Sequence, residues 1–151
     1  MNWPVGVGGK GNEGVTGLVK QTPGSIGYVE LIYAIQNKLA YGSVQNLAGE
    51  YVKASTETVT NAASAATGKA MPPDFRVSIT NAPGHNVYPV SSFTWLLFYE
   101  NPKDKQRARV MVDFMKWALG EGQKFAPELG YAPLPASVVQ MELRALNRIK
   151  L

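Results

Sequence analysis

Apolar residues recur along the 151-residue chain in two rhythms, and the switches between them set out the elements. Over residues 13–21, Val15, Leu18 and Val19 return at the three-to-four-residue spacing of one helix face. Thr22-Pro23-Gly24 is the expected stop, because Pro cannot continue a helix and Gly favours the turn out of it. Asn12 stands where a side-chain oxygen can cap the first free amides, and Glu13 falls in the first turn, where the helix dipole favours an acid. Residues 25–30, Ser-Ile-Gly-Tyr-Val-Glu, read as a short buried strand. A second helix is expected over 31–38, with Leu31, Ala34, Ile35 and Lys38 at helical spacing.

Residues 39–52 hold two β-like runs around Ala48-Gly49, a hairpin signal. Ser55 to Thr58 resembles a capping box that lacks the usual acid at its last position. The helix behind it, 56–67, is Ala-rich and is expected to close at Gly68. Met71-Pro72-Pro73 breaks the pattern, 75–79 could extend briefly, and Asn81-Ala82-Pro83-Gly84 is a turn. Residues 90–99 have the β-branched and aromatic content of a central strand, with Pro89 ahead of the ladder.

The rest is helical in pattern. Over 104–119, Val110, Phe114 and Trp117 form the stripe expected to face the core, flanked by Met111, Met115 and Ala118, and Gly120 ends it. A short helix follows over 121–129, closed at Gly130, and Pro133 and Pro135 stiffen the connector. The last helix, 136–150, has Val138, Met141, Ala145 and Ile149 in one stripe, with Val139, Leu143 and Leu146 beside it. Strands alternating with helices make this an α/β chain. Three to five strands are few for a self-contained doubly wound sheet, and the Pro-rich stretch at 71–89 reads as a crossover between two lobes.

Composition narrows the class. A hydrophobic fraction of 45% with 17% charged residues fits a globular domain. The longest apolar run, 93–99 with Thr94 inside it, is far short of the roughly 20 residues that span a bilayer. Met1-Asn2-Trp3-Pro4 carries no signal peptide, which fits either a cytoplasmic protein or a piece of a longer exported one. The absence of Cys excludes disulfides and thiolate chemistry and leaves the compartment open. The net charge of +4 reads as a solvated surface. Its densest basic stretches, 103–109 and 144–150, come with no nucleic-acid module, so no nucleic-acid partner is expected.

Catalytic patterns are missing. The single histidine, His85, sits in a Pro-Gly-His-Asn turn and reads as structural or solvent-exposed. No metal-ligand spacing and no nucleophile elbow occur, so neither an enzyme nor a cofactor is expected. The Gly-rich opening fails the phosphate-loop pattern, because Gly9-Lys10 is followed by Gly11 and the position five before Gly9 is Pro4. It reads as a tight turn into a helix, or as an anion contact through Gly9, Lys10, Gly11 and Asn12 at the helix start. Trp95 and Trp117 read as packing residues, and Trp3 as packing where the first helix begins.

Four segments together carry a resemblance. They are Trp3-Pro4-Val5-Gly6 running into Gly8-Gly9-Lys10-Gly11-Asn12-Glu13-Gly14, Pro23-Gly24-Ser25-Ile26-Gly27-Tyr28-Val29-Glu30, Tyr88-Pro89-Val90-Ser91-Ser92, and Gly130-Tyr131-Ala132-Pro133-Leu134-Pro135. In this order and at these separations the chain resembles the C-terminal portion of the periplasmic phosphate-binding component of the phosphate-specific ABC importer.

The resemblance implies an incomplete two-lobed, periplasmic-binding-protein type II-like α/β fold. Residues 1–80 would finish the second lobe, and 81–151 would form the crossover and the return to the first. It implies a parent that binds inorganic phosphate and delivers it to an ABC permease. The family's ligand set, hydroxyls and backbone amides with an Arg and an Asp, would lie upstream of the matched segments. Its Arg followed by Ser-Gly-Thr does not occur here, so no ligand residue is carried over. The chain alone is then expected to bind phosphate weakly or not at all. It is also expected to cover its apolar faces by homo-oligomerisation or segment exchange. The alternative is a stand-alone structural, oligomerising α/β module without a ligand.

Overall fold

The computed structural model describes residues 4–67 and 71–151. Trp3 and Gly68, for which sequence roles are given above, lie outside the described residues. The chain divides into two compact units, Met1–Gly42 and Ser43–Leu151.

The first unit is a helical pair, α1 (Gly11–Gln21) and α2 (Leu31–Gln36). Val15, Leu18 and Val19 are half-buried and Thr16 is buried, so the expected face of α1 is the covered one. Thr22 closes α1 with its N–H on the Leu18 carbonyl at 3.0 Å, just ahead of Pro23. α2 stops at Gln36 in a Schellman turn: the Leu39 N–H reaches the Ala34 carbonyl (2.9 Å) and the Lys38 N–H the Ile35 carbonyl (3.1 Å). Lys38, at φ 55°, takes the left-handed position that usually goes to Gly.

Residues 25–30 form no strand, against the sequence expectation, and Ile26 is 98% exposed. A strand needs a ladder partner, and the first unit has no strand among its described residues. The segment instead crosses α1 at Gly27, where an added Cβ would lie 2.7 Å from Val19 Cγ2 and 3.0 Å from Val15 Cγ1. Only a residue without a side chain lets the backbone approach that closely.

The second unit opens with the predicted hairpin, shorter than expected. β1 (Ser43–Gln45) pairs antiparallel with β2 (Tyr51–Lys53) in the register Ser43↔Lys53, Val44↔Val52 and Gln45↔Tyr51. Asn46 builds the turn, its side-chain oxygen accepting the Ala48 (3.0 Å) and Glu50 (2.9 Å) amides. Gly49 supplies the left-handed residue at φ 82°.

α3 (Thr56–Thr67) follows with the anticipated boundaries. Its Ala-rich face forms the core: Ala62, Ala63 and Ala66 pack with Ile79, Ala82 and Val87, and Phe93 closes over them half-buried. Alanine lets the irregular 79–93 backbone lie close against the helix, and Ile79 fills the space left.

α4 (Lys105–Leu119) begins at the Asp104 cap, whose carboxylate accepts the Arg107 N–H at 2.9 Å, and ends at Gly120. Its inward face is a correction to the sequence reading. Ala108, Val112 and Leu119 are buried, while Val110, Phe114 and Trp117 are exposed. The helix carries two apolar stripes, and the smaller one fits beside α5 (Ala136–Leu146), which packs against both α3 and α4. Trp117 of the exposed stripe stacks on Phe114 and on Phe125 of the following segment, at ring-centroid separations of 5.7 and 6.2 Å.

The expected helix over 121–129 is two 3-10 pieces, Glu121–Phe125 and Pro127–Leu129, closed by Gly130 at φ 78°. α5 ends four residues earlier than its pattern, and Val138 is its buried centre. Residues 90–99 form no strand either: Leu97 is 94% exposed, and Trp95 donates its indole N–H to the Phe75 carbonyl (3.2 Å). The pattern over 90–99 asks for neighbours on both sides, and no described strand offers them. Residues 75–79 likewise form no strand, with Phe75 at φ 59°. Among the described residues the chain is thus a mixed α and β fold with two strands rather than three to five. No described helix is long and apolar enough to cross a membrane.

Candidate functional site

The Gly-rich opening leads into α1 as the sequence suggests. Gly9 lies against the first turn, where an added Cβ would stand 2.6 Å from the Val15 nitrogen and 2.7 Å from the Gly14 carbonyl carbon. Lys10 is the residue before the helix and offers no side-chain cap, and Gly11 takes φ 67°. Asn12 does not cap either, because it lies inside the first turn. Its amide clamps Glu30 instead: Oδ1 accepts the Glu30 N–H (3.0 Å) and Nδ2 donates to the Glu30 carboxylate (3.2 Å). This fixes the end of the exposed 25–30 segment at the start of α2.

The anion at this helix start is the protein's own. The Glu13 carboxylate accepts the Tyr33 hydroxyl at 2.7 Å. That bond, and one from the Glu13 backbone amide, hold the carboxyl below its ordinary range. A negative charge here satisfies the dipole and meets an incoming anion with repulsion. The structure therefore gathers Gly9, Lys10, Gly11 and Asn12 at one helix start, with Glu13 among them.

The second unit holds a polar knot that the sequence did not reveal. His85 Nδ1 lies 2.7 Å from Glu50 Oε1, and Glu50 Oε2 accepts the Asn86 N–H at 2.8 Å and the Asn46 side-chain amide at 3.3 Å. The His85 ring and these donors pull Glu50 down to about 2, and the carboxylate in turn raises His85. Glu50 and His85 are 35 residues apart, and nothing in their spacing points to the pair. Glu50 orients the His85 ring, and both side chains stand exposed rather than enclosed in a cleft. The described residues contain no group of three or more His, Asp or Glu side chains that could hold a metal ion.

The basic stretches of α4 and α5 lie close in the fold. Lys105 Nζ donates to the Lys150 carbonyl, the Lys150 N–H reaches the Glu100 carbonyl at 2.8 Å, and Arg148 pairs with Glu100 at 3.4 Å. A shallow groove of about 290 Å³ lies between Pro72, Pro73 and Phe75 and the Arg144 and Arg148 end of α5. It is open to solvent rather than enclosed. These exposed charges make a solvated surface rather than a defined pocket.

No family model matches the chain. Curated relatives match nearly all of it. A phosphate-binding protein PstS from Xylella fastidiosa is 46% identical over 140 residues, 93% of this chain and 38% of that protein. The protein of the same name from Methanocaldococcus jannaschii is 40% identical over 99% of this chain and 42% of its own length. That from Haemophilus influenzae is 40% identical over 92% of this chain and 41% of its own length. The resemblance carried by the four segments thus extends along nearly the whole sequence, and the chain spans about two-fifths of the length of the relatives it matches.

Proposed function

We propose that the chain is the C-terminal portion of a phosphate-binding protein, the name its relatives bear, and that the whole protein captures inorganic phosphate for the permease of an ABC importer. The observation that carries this reading is the 46% identity over 140 residues to a protein so named. On this reading the parent is a periplasmic binding protein rather than an enzyme. Its fold is two-lobed and periplasmic-binding-protein type II-like. Residues 1–80 finish the second lobe, and 81–151 cross over and complete the first.

The chain then contributes scaffold, and the grip on phosphate lies in the rest of the parent. Holding a dehydrated phosphate takes many convergent donors and an acceptor for its proton. The helix start at Gly9–Asn12, the one anion contact weighed from the sequence, already carries the Glu13 carboxylate. The exposed apolar side chains of α4 and of 90–99 support a further element: alone, the chain associates with copies of itself by face pairing or segment exchange.

Isothermal titration with phosphate tests both parts. The 151-residue chain is expected to bind weakly or not at all. Sub-micromolar affinity would overturn the scaffold assignment. A complete parent protein that gives no heat with phosphate would overturn the family function itself.

A further inference from the structure

We propose that Glu50 and His85 form a proton-sensitive clasp that holds the hairpin turn against the 81–89 segment. The clasp rests on how that segment is tied down. Residues 81–89 have no regular structure, and they hold Asn81 at φ 50°, Gly84 at φ 126° and Asn86 at φ 53°. Asn takes the left-handed region more readily than other side-chain-bearing residues, so these turns suit an irregular segment whose position is set by its contacts.

Within the segment the Asn81 N–H donates to the Pro89 carbonyl (2.8 Å), and the remaining contacts come from α3 and the hairpin turn. From α3, the Thr58 carbonyl accepts the Tyr88 N–H (3.1 Å) and the Asn61 amide donates to the Asn86 carbonyl (3.1 Å). From the hairpin turn, the Asn46 amide reaches the Val87 carbonyl (3.3 Å). Glu50 supplies the rest, one oxygen to His85 and the other to the Asn86 amide. All but one of these ties join neutral groups or a backbone amide to an acceptor, and they do not titrate near neutrality. The exception is His85. Among the described residues Glu50 is the one charged group that acts on it, with the neutral Asn46 and Asn61 amides facing the same loop.

The sign follows from the two titrations. His85 has a folded value raised above its ordinary 6.5, so its share of the clasp is complete below 6.5 and fades as pH rises through the raised value. Glu50, held at about 2 against an ordinary 4.5, keeps its charge down to strongly acid conditions. The clasp is therefore tight from about pH 4.5 to 6.5 and loosens above it. A neutral imidazole can still donate from Nδ1, so deprotonation removes the charge on the ring and leaves the other ties, the Glu50–Asn86 bond among them, in place.

Amide and His-ring NMR of the 151-residue chain between acid and alkaline pH tests this. The ring is expected to titrate above 6.5, and the Asn86 and Glu50 amides to shift with the same midpoint. In Glu50→Gln, which keeps an acceptor for the Asn86 amide, the midpoint should fall back towards 6.5. In His85→Gln the two amides should lose their step above 6.5, keeping only the acid step of the Glu50 carboxyl. A wild-type midpoint at or below 6.5, or amides that ignore the ring, would overturn the proposal. Should Glu50→Gln not fold, the wild-type and His85→Gln titrations decide it by the same criteria.

Discussion

Ser55 and Thr58 cap each other at the first turn of α3. The Thr58 N–H donates to Ser55 Oγ (3.1 Å), and the Ser55 N–H donates to Thr58 Oγ1 (3.0 Å). This is a capping box in which a hydroxyl does what a Glu carboxylate usually does. Thr58 is buried, where a carboxylate would need desolvating, and its hydroxyl also reaches the Lys53 carbonyl (3.1 Å) at the end of β2. One small side chain thus couples the hairpin to the helix.

Ser55→Ala should destabilise the second unit by about 1 kcal/mol, the ordinary cost of a lost cap. Thr58→Val keeps the shape but removes the acceptor of the Ser55 amide and one donor to the Lys53 carbonyl, and should cost about 1–3 kcal/mol. Urea unfolding followed by circular dichroism reads both. Equal midpoints for Thr58→Val and wild type would show that the hydroxyl carries no net stability.

Tyr33→Phe removes the largest cause of Glu13's lowered value, so the Glu13 carboxyl should titrate closer to 4.5. A depressed folded value stabilises the protein above the ordinary carboxylate value, and that stabilisation fades as pH falls through the folded one. Wild type should therefore lose the Glu13 contribution only at more acid pH than Tyr33→Phe does. Carboxyl-carbon NMR titration checks this, and an unmoved Glu13 midpoint would contradict the role given to the Tyr33 hydroxyl.

The aromatic stripe of α4 predicts behaviour in solution. Trp117 is 49% exposed and stacks on Phe114 and Phe125, an apolar patch a stable monomer rarely leaves bare. The chain should sediment as an oligomer, and Phe114→Lys together with Trp117→Gln should shift it towards monomer. A wild-type chain that sediments as a compact monomer at micromolar concentration would contradict the association.

Local chemistry was legible where its cause was local. The hairpin around Gly49, the stop at Thr22-Pro23, the Asp104 start of α4, the Gly120 and Gly130 ends and the span of α3 all follow from residues within a few positions of one another. A segment that depends on distant partners is not legible in this way. Residues 25–30 and 90–99 have strand composition, and composition cannot supply a ladder. On α4 both stripes are apolar, and only packing beside α5 decides that Ala108, Val112 and Leu119 turn inward. Asn12 has the chemistry of a cap, yet the helix begins one residue before it, and its amide goes to Glu30.

The candidate site divides the same way. Glycine spacing and a following acid place a helix here because helix starts are built from consecutive residues, but the structure begins α1 at Gly11 rather than at Glu13. The hydroxyl that Tyr33 sends to Glu13, and the ring that His85 sends to Glu50, came only with the fold. The ordered segments of the sequence by themselves determined the similarity to phosphate-binding proteins, since identity is a property of residues in order. Tertiary structure alone decided which charges meet, because an ion pair needs two chain segments brought within about 4 Å, and no linear spacing specifies that.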